Sequence, residues 1–151
     1  PTPTYSPLAT RYSSHIPAEV VRVIDGDTAV FRINNTEETV RFLGIDAPET
    51  VHPNKSAECF GPEASEFVKG VLEEETAVYI ELDEMTGERD KYGRLLAHIW
   101  LEDATLLNEL LLQEGYAEFA NYGNPTENDS IYLQAENDAK IASIGLWKSC
   151  P

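Results

Sequence analysis

Cysteine is nearly absent from this sequence: Cys59 and Cys150 are the two present, far apart and in no CxxC pattern. That excludes a thiolate zinc cluster. Positive charge is also scarce, with 11 Lys and Arg against 27 Asp and Glu and a formal net charge of −16. Polyanions are bound mainly by Lys and Arg displacing counterions, so a surface basic all over is excluded. The three histidines, His15, His52 and His98, are scattered and form no ligand set. There is no apolar run of membrane-spanning length and no charged-then-apolar leader. The chain also does not open with Met, so the expectation is a mature, secreted or extracytoplasmic protein lacking its signal segment. No internal repeat is apparent.

What is present fits one compact domain: 151 residues at 42% hydrophobic content can bury a substantial core. The cysteines leave two readings. Paired, they close a loop of about 90 residues and imply an oxidising compartment. Unpaired, they are two ordinary thiols. The basic residues Arg41, Lys55, Arg89, Lys91 and Arg94 cluster in a few segments, which allows a local positive patch on an acidic body.

Residues 1–18 are rich in Pro, Ser and Thr without a sustained period. They read as a flexible N-terminal tail, with the folded domain spanning 19–150. Residues 19–25, 28–33 and 39–45 are β-branched and aromatic runs separated by Asp-Gly and Asn-Asn, a three-strand meander. Two more strands are expected at 76–83 and 94–101. Gly61-Pro62-Glu63 opens a helix whose stripe is Ala64, Phe67, Val68, Val71 and Leu72. A second helix is expected at about 104–114, stopping at Gly115, and a third at about 126–143, packing through Ile131, Ala135, Ala139 and Ala142. The sum is an α+β protein, a five-stranded OB-fold β-barrel with three α-helices.

Two acidic clusters lie at strand ends: Asp25-Gly26-Asp27 and Asp46-Ala47-Pro48-Glu49. Either one alone reads as a turn with solvated acids. Carboxylates without supporting His or Cys suit Ca²⁺ or Mg²⁺. Arg41 precedes the second cluster, and Asp90-Lys91-Tyr92-Gly93-Arg94 supplies another guanidinium at a strand start, so acids and forked phosphate donors could converge. One obstacle is parity. Arg41 and Asp46 are an odd number of residues apart, which sends them to opposite faces of an ideal strand. Gly44 is the expected kink or bulge, with Asp46 beyond the regular strand. Trp100, Trp147 and His98 read as packing residues.

The motifs IDGDT, VRFLGIDAPET followed by HPNK, FGPEAS, DKYGR and GLW stand in this order between residues 19 and 148. In order and approximate spacing they resemble the staphylococcal nuclease family. The resemblance implies the barrel fold and Ca²⁺-dependent cleavage of DNA and RNA, single-stranded preferred, to 3′-phosphate products by a monomer using one Ca²⁺ ion. It implies Asp27, Asp46 and the Ala47 carbonyl as metal ligands, Glu49 as the proposed general base, and Arg41 and Arg94 as phosphate clamps. Lys91 and Tyr92 fall at nucleotide-contacting positions, and Lys55 matches a loop lysine beside the site. Ala47 stands where the family has Thr. Two family tyrosines align with Asn121 and Gly123, so their stacking faces are missing, and Tyr122 between them is a candidate substrate-binding residue. The alternative of another class is a catalytically silent OB-type nucleic-acid or protein-binding module.

Overall fold

The computed structural model describes residues 15–50 and 58–151. Strands β1 (His15–Asp25), β2 (Thr28–Ile33) and β3 (Thr36–Phe42) form the meander, and β5 (Ala77–Leu82) and β6 (Leu95–Leu101) complete a closed barrel in the order β1-β2-β3-β6-β5. Closure depends on β1. Its second half pairs antiparallel with β2 and its first half with β5, and Glu19 meets both Arg32 and Ala77. Two register shifts bend it between them. The remaining seam is parallel, Val40–Phe42 against Leu95–Ala97.

Among the described residues, His15–Ala18, placed in the tail by the sequence reading, are already paired structure. Residues 15–18 lie opposite Val78–Glu81, because the closing strand needs a partner along its full length. Ala18, Val20, Phe31, Val40, Phe42, Val78, Ile80, Ala97 and Ile99 fill the interior, as period-two alternation around a small barrel requires.

Helix α1 (Gly61–Val71) covers one end of β1 through Ala64, Ser65 and Val68. Pro62 sits in its first turn, where no N–H is missed. Helices α2 (Leu107–Gln113) and α3 (Asp129–Ala142) pack on each other, and a short α4 (Leu146–Ser149) follows. The expected face of α3 needs correcting. Ile131 and Ala142 are exposed, and the buried residues are Tyr132, Ala135, Glu136 and Ala139. Glu136 is buried because its carboxylate accepts the Phe119 N–H at 2.7 Å, which satisfies it as burial demands.

His98 is a core residue, and a hydrogen-bonded one. Its Nε2 meets Asp83 Oδ2 at 2.7 Å and its Nδ1 meets the Tyr132 hydroxyl at 2.6 Å. Burial alone would push the Asp83 carboxyl up. The His98 hydrogen bond and the N–H groups of Glu127 and Met85 outweigh it and hold the group below its usual range.

The turn after β3 shapes the site. Gly44 has φ +78°, and a Cβ there would lie 2.3 Å from Cδ2 of the buried Tyr132 ring. Gly44→Ala thus combines a disfavoured backbone with overpacking against a filled core. We expect a loss of about 2–4 kcal/mol in urea denaturation; a loss below 1 kcal/mol would show that Tyr132 yields easily.

Candidate active site

Beyond Gly44 the chain forms β4 (Ile45–Asp46), which pairs with β7 (Glu118–Phe119), Asp46 lying opposite Glu118. The kink is locked by Arg41. Its Nη1 donates to the carbonyls of Phe42 and Ile45, each at 2.9 Å. A guanidinium carries five N–H donors in a rigid fork, so this leaves Nη2 facing outward. Nη2 lies 3.5 Å from Asp27 Oδ2, 3.9 Å from Asp46 Oδ1 and 3.4 Å from the Tyr122 hydroxyl. The parity obstacle between Arg41 and Asp46 is thereby removed by the bend at Gly44.

Asp27 and Arg41 are well covered, with side chains 13% and 14% exposed, whereas that of Asp46 is 52% exposed. Asp27 is further fixed by the Ala47 N–H and the Thr28 hydroxyl, each at 2.9 Å. Partial burial and then repulsion from Asp27 push the Asp46 carboxyl above its usual range, against the pull of Arg41. Two carboxylates that repel each other beside one guanidinium suit a hard divalent cation, which would relieve the repulsion. Among the described residues no group of three or more Asp, Glu, His or Cys is arranged to hold a metal. Asp27 and Asp46 with a backbone carbonyl such as that of Ala47 would therefore form a partial oxygen shell, with substrate and solvent supplying the rest.

Arg41 also lines a cleft of about 670 Å³, together with Arg94, Lys91, Tyr92, Asn121 and Tyr122. Arg94 is held by Asp90, whose Oδ2 accepts from Nε at 2.7 Å and whose Oδ1 accepts the Arg94 and Tyr92 N–H groups. Burial opposes ionisation of Asp90, but these donors keep its carboxyl below the ordinary value. Tyr92 and Tyr122 are each 72% exposed. Arg94 stands 5.5 Å from the Tyr92 ring centroid and Arg41 5.8 Å from that of Tyr122, a cation–π distance in both cases. Each wall thus offers an aromatic face beside a guanidinium.

The expected residues are not all brought together. Asp27, Asp46, Ala47 and Arg41 meet, and Arg94, Lys91, Tyr92 and Tyr122 share the cleft with Arg41. Glu49 is exposed and lines neither this cleft nor the smaller one beside Asp46. Its backbone is what is fixed, by Glu58. Lys55 lies outside the described residues. Arg89 does not join the positive patch, because Nη1 and Nη2 both bind Glu38, at 2.9 and 3.0 Å.

Some site residues left little trace in the sequence. Asn108 is wholly buried on α2, donating to the Leu43 carbonyl beside the kink and accepting the Ile99 N–H. A polar residue within the apolar stripe of a helix was the available signal. Asp25, grouped with Asp27 by sequence, instead accepts from the Thr50 hydroxyl at 2.9 Å.

A closed five-stranded barrel with cationic and acidic groups gathered at its strand ends defines an OB-fold protein with a polar surface site. Residues 39–149 match the family described as Staphylococcal nuclease homologue, and the chain belongs to that family. It is 36% identical over 131 residues to a thermonuclease of Staphylococcus hyicus, covering 87% of this chain and 75% of that one. It is 38% identical over 130 residues to a thermonuclease of Staphylococcus intermedius, covering 85% and 74%. A prophage-derived endonuclease of Bacillus subtilis, YokF, is 36% identical over 127 residues, covering 83% of this chain and 42% of its own length.

Proposed function

We propose that this protein is a Ca²⁺-dependent nuclease, a phosphodiesterase that cleaves DNA and RNA to 3′-phosphate products, preferring single strands, and that it acts as a secreted monomer. The observation that carries the reading is Arg41, whose Nη2 stands by both Asp27 and Asp46 and which lines a cleft together with Arg94. Relatives named thermonuclease and endonuclease support it. The Cys59–Cys150 disulfide suits an oxidising compartment. No helix among the described residues is long and apolar enough to cross a membrane.

Asp27, Asp46 and the Ala47 carbonyl would hold the ion, which would supply charge neutralisation and polarisation of a phosphate oxygen. Arg41 and Arg94 clamp the non-bridging phosphate oxygens in forked geometry and stabilise the charge that grows on them. Asp90 aims Arg94 by occupying its Nε. Glu49, which is exposed and lines neither cleft in this structure, would turn its carboxylate to the attacking water to accept its proton. Lys91 screens a neighbouring phosphate, and the Tyr92 and Tyr122 rings offer stacking faces to splayed bases.

The test is hydrolysis of single-stranded DNA with Ca²⁺ and with excess chelator. Cleavage with Ca²⁺ that drops to background with chelator is expected, along with weak Ca²⁺ binding by the nucleotide-free protein in calorimetry, given its partial ligand shell. A well-folded protein that binds DNA without cutting it would instead be a silent binding module.

A further inference from the structure

Cys59 and Cys150 form a disulfide whose position suggests more than a staple. Cys59 directly follows Glu58, and Glu58 makes two opposed hydrogen bonds to Glu49. Its Oε1 accepts the Glu49 N–H at 2.9 Å, and its own N–H donates to the Glu49 carbonyl at 2.9 Å. The Glu58 carbonyl in turn accepts the Gly61 N–H at the start of α1 at 2.8 Å. Gly61 also comes close to Glu49, since a Cβ on Gly61 would lie 2.5 Å from the Glu49 carbonyl oxygen. The next residue, Thr50, is tied to Asp25.

We infer that Glu58 is a positioning residue for Glu49, clamping its backbone in place while the Cys59–Cys150 disulfide fastens the clamp to the end of α4. This rests on the proposed role of Glu49. An exposed carboxylate on a solvated segment samples many placements, and a base displaced by about 1 Å loses much of its effect. Here both backbone polar groups of Glu49 are held by one residue, and that residue is covalently anchored one position away. Glu58 works through its Oε1 as an acceptor, so its charge is dispensable. A merely structural acid, or one acting by charge on nearby Asp46, would behave differently.

The experiment compares Glu58→Ala, which removes the acceptor, with Glu58→Gln, which keeps it and removes the charge. Amide exchange at Glu49 is followed alongside kcat and KM on single-stranded DNA. In Glu58→Ala the Glu49 amide should exchange about tenfold faster, as loss of its hydrogen bond implies. Its kcat should fall about tenfold with KM changed by no more than about twofold. Glu58→Gln should resemble the wild type in both. A Glu49 amide indifferent to Glu58→Ala, or equal losses in the two variants, would overturn the inference. A wild type that hydrolyses nothing, with a Glu49 amide that still depends on Glu58, would remove the nuclease reading and leave the clamp standing.

Discussion

Arg94→Ala is expected to lower kcat on single-stranded DNA by about three orders of magnitude with the fold unchanged, the scale seen when a charge-stabilising donor or arginine is removed from a phosphoryl-transfer site. Arg94 suits this test better than Arg41. Arg41 also holds the carbonyls of Phe42 and Ile45, so its removal would confound chemistry with collapse of the kink. Arg94 instead stands at the cleft surface, and Asp90 keeps its bonds to the backbone N–H groups of Tyr92 and Arg94 when the guanidinium is gone. Arg94→Lys should recover part of the loss, because an ammonium restores charge but not the planar fork. Far-UV circular dichroism and Tm matching wild type, together with the activity loss, would establish the role. Activity within about tenfold of wild type in Arg94→Ala would remove Arg94 from the chemistry.

The second large effect concerns stability. Replacing both cysteines, Cys59→Ala with Cys150→Ala, should cost about 4–5 kcal/mol in the chain-entropy account, since the bond joins residues 91 apart and its main action is to restrict the unfolded chain. For a domain of this size that is a fall in Tm of about 15 °C in scanning calorimetry. A fall of under about 3 °C would mean that the native state carries strain offsetting the entropic gain, or that the unfolded chain is already compact there.

Legibility in the sequence followed the range of the forces involved. The five barrel strands were readable because alternation in runs such as Val78, Ile80 and Leu82 is a local consequence of one buried face. The bend at Gly44 was readable for a similar reason: parity forbade a straight strand carrying both Arg41 and Asp46. What occupies the space beside that bend was not. Tyr132 lies 88 positions further on and touches Gly44 through the fold alone. Helix α3 was misjudged because Ile131 looks a better core residue than Glu136. The Glu is buried by one specific bond to the Phe119 N–H, which no periodicity encodes. Arg89 belonged by sequence to the positive patch, and its pairing with Glu38 of β3 joins residues 51 apart in the chain. Tyr122 was singled out by sequence as a substrate-binding candidate, but its hydroxyl beside Arg41 was not legible, because the two residues lie 81 positions apart.

The way β1 is shared between two neighbours also bears on how the chain is made. Its first half waits for Ala77–Leu82, and β3 waits for Leu95–Leu101. A chain emerging from its N-terminus can form the β1–β2–β3 meander early, but both outer edges of that meander stay open. The barrel cannot close until Leu101 has been synthesised, about two-thirds of the way along the chain. Biosynthesis therefore delivers Asp27, Arg41 and Asp46 well before Arg94 and the strand that follows it. Until that strand arrives the polypeptide remains an open, unfinished sheet.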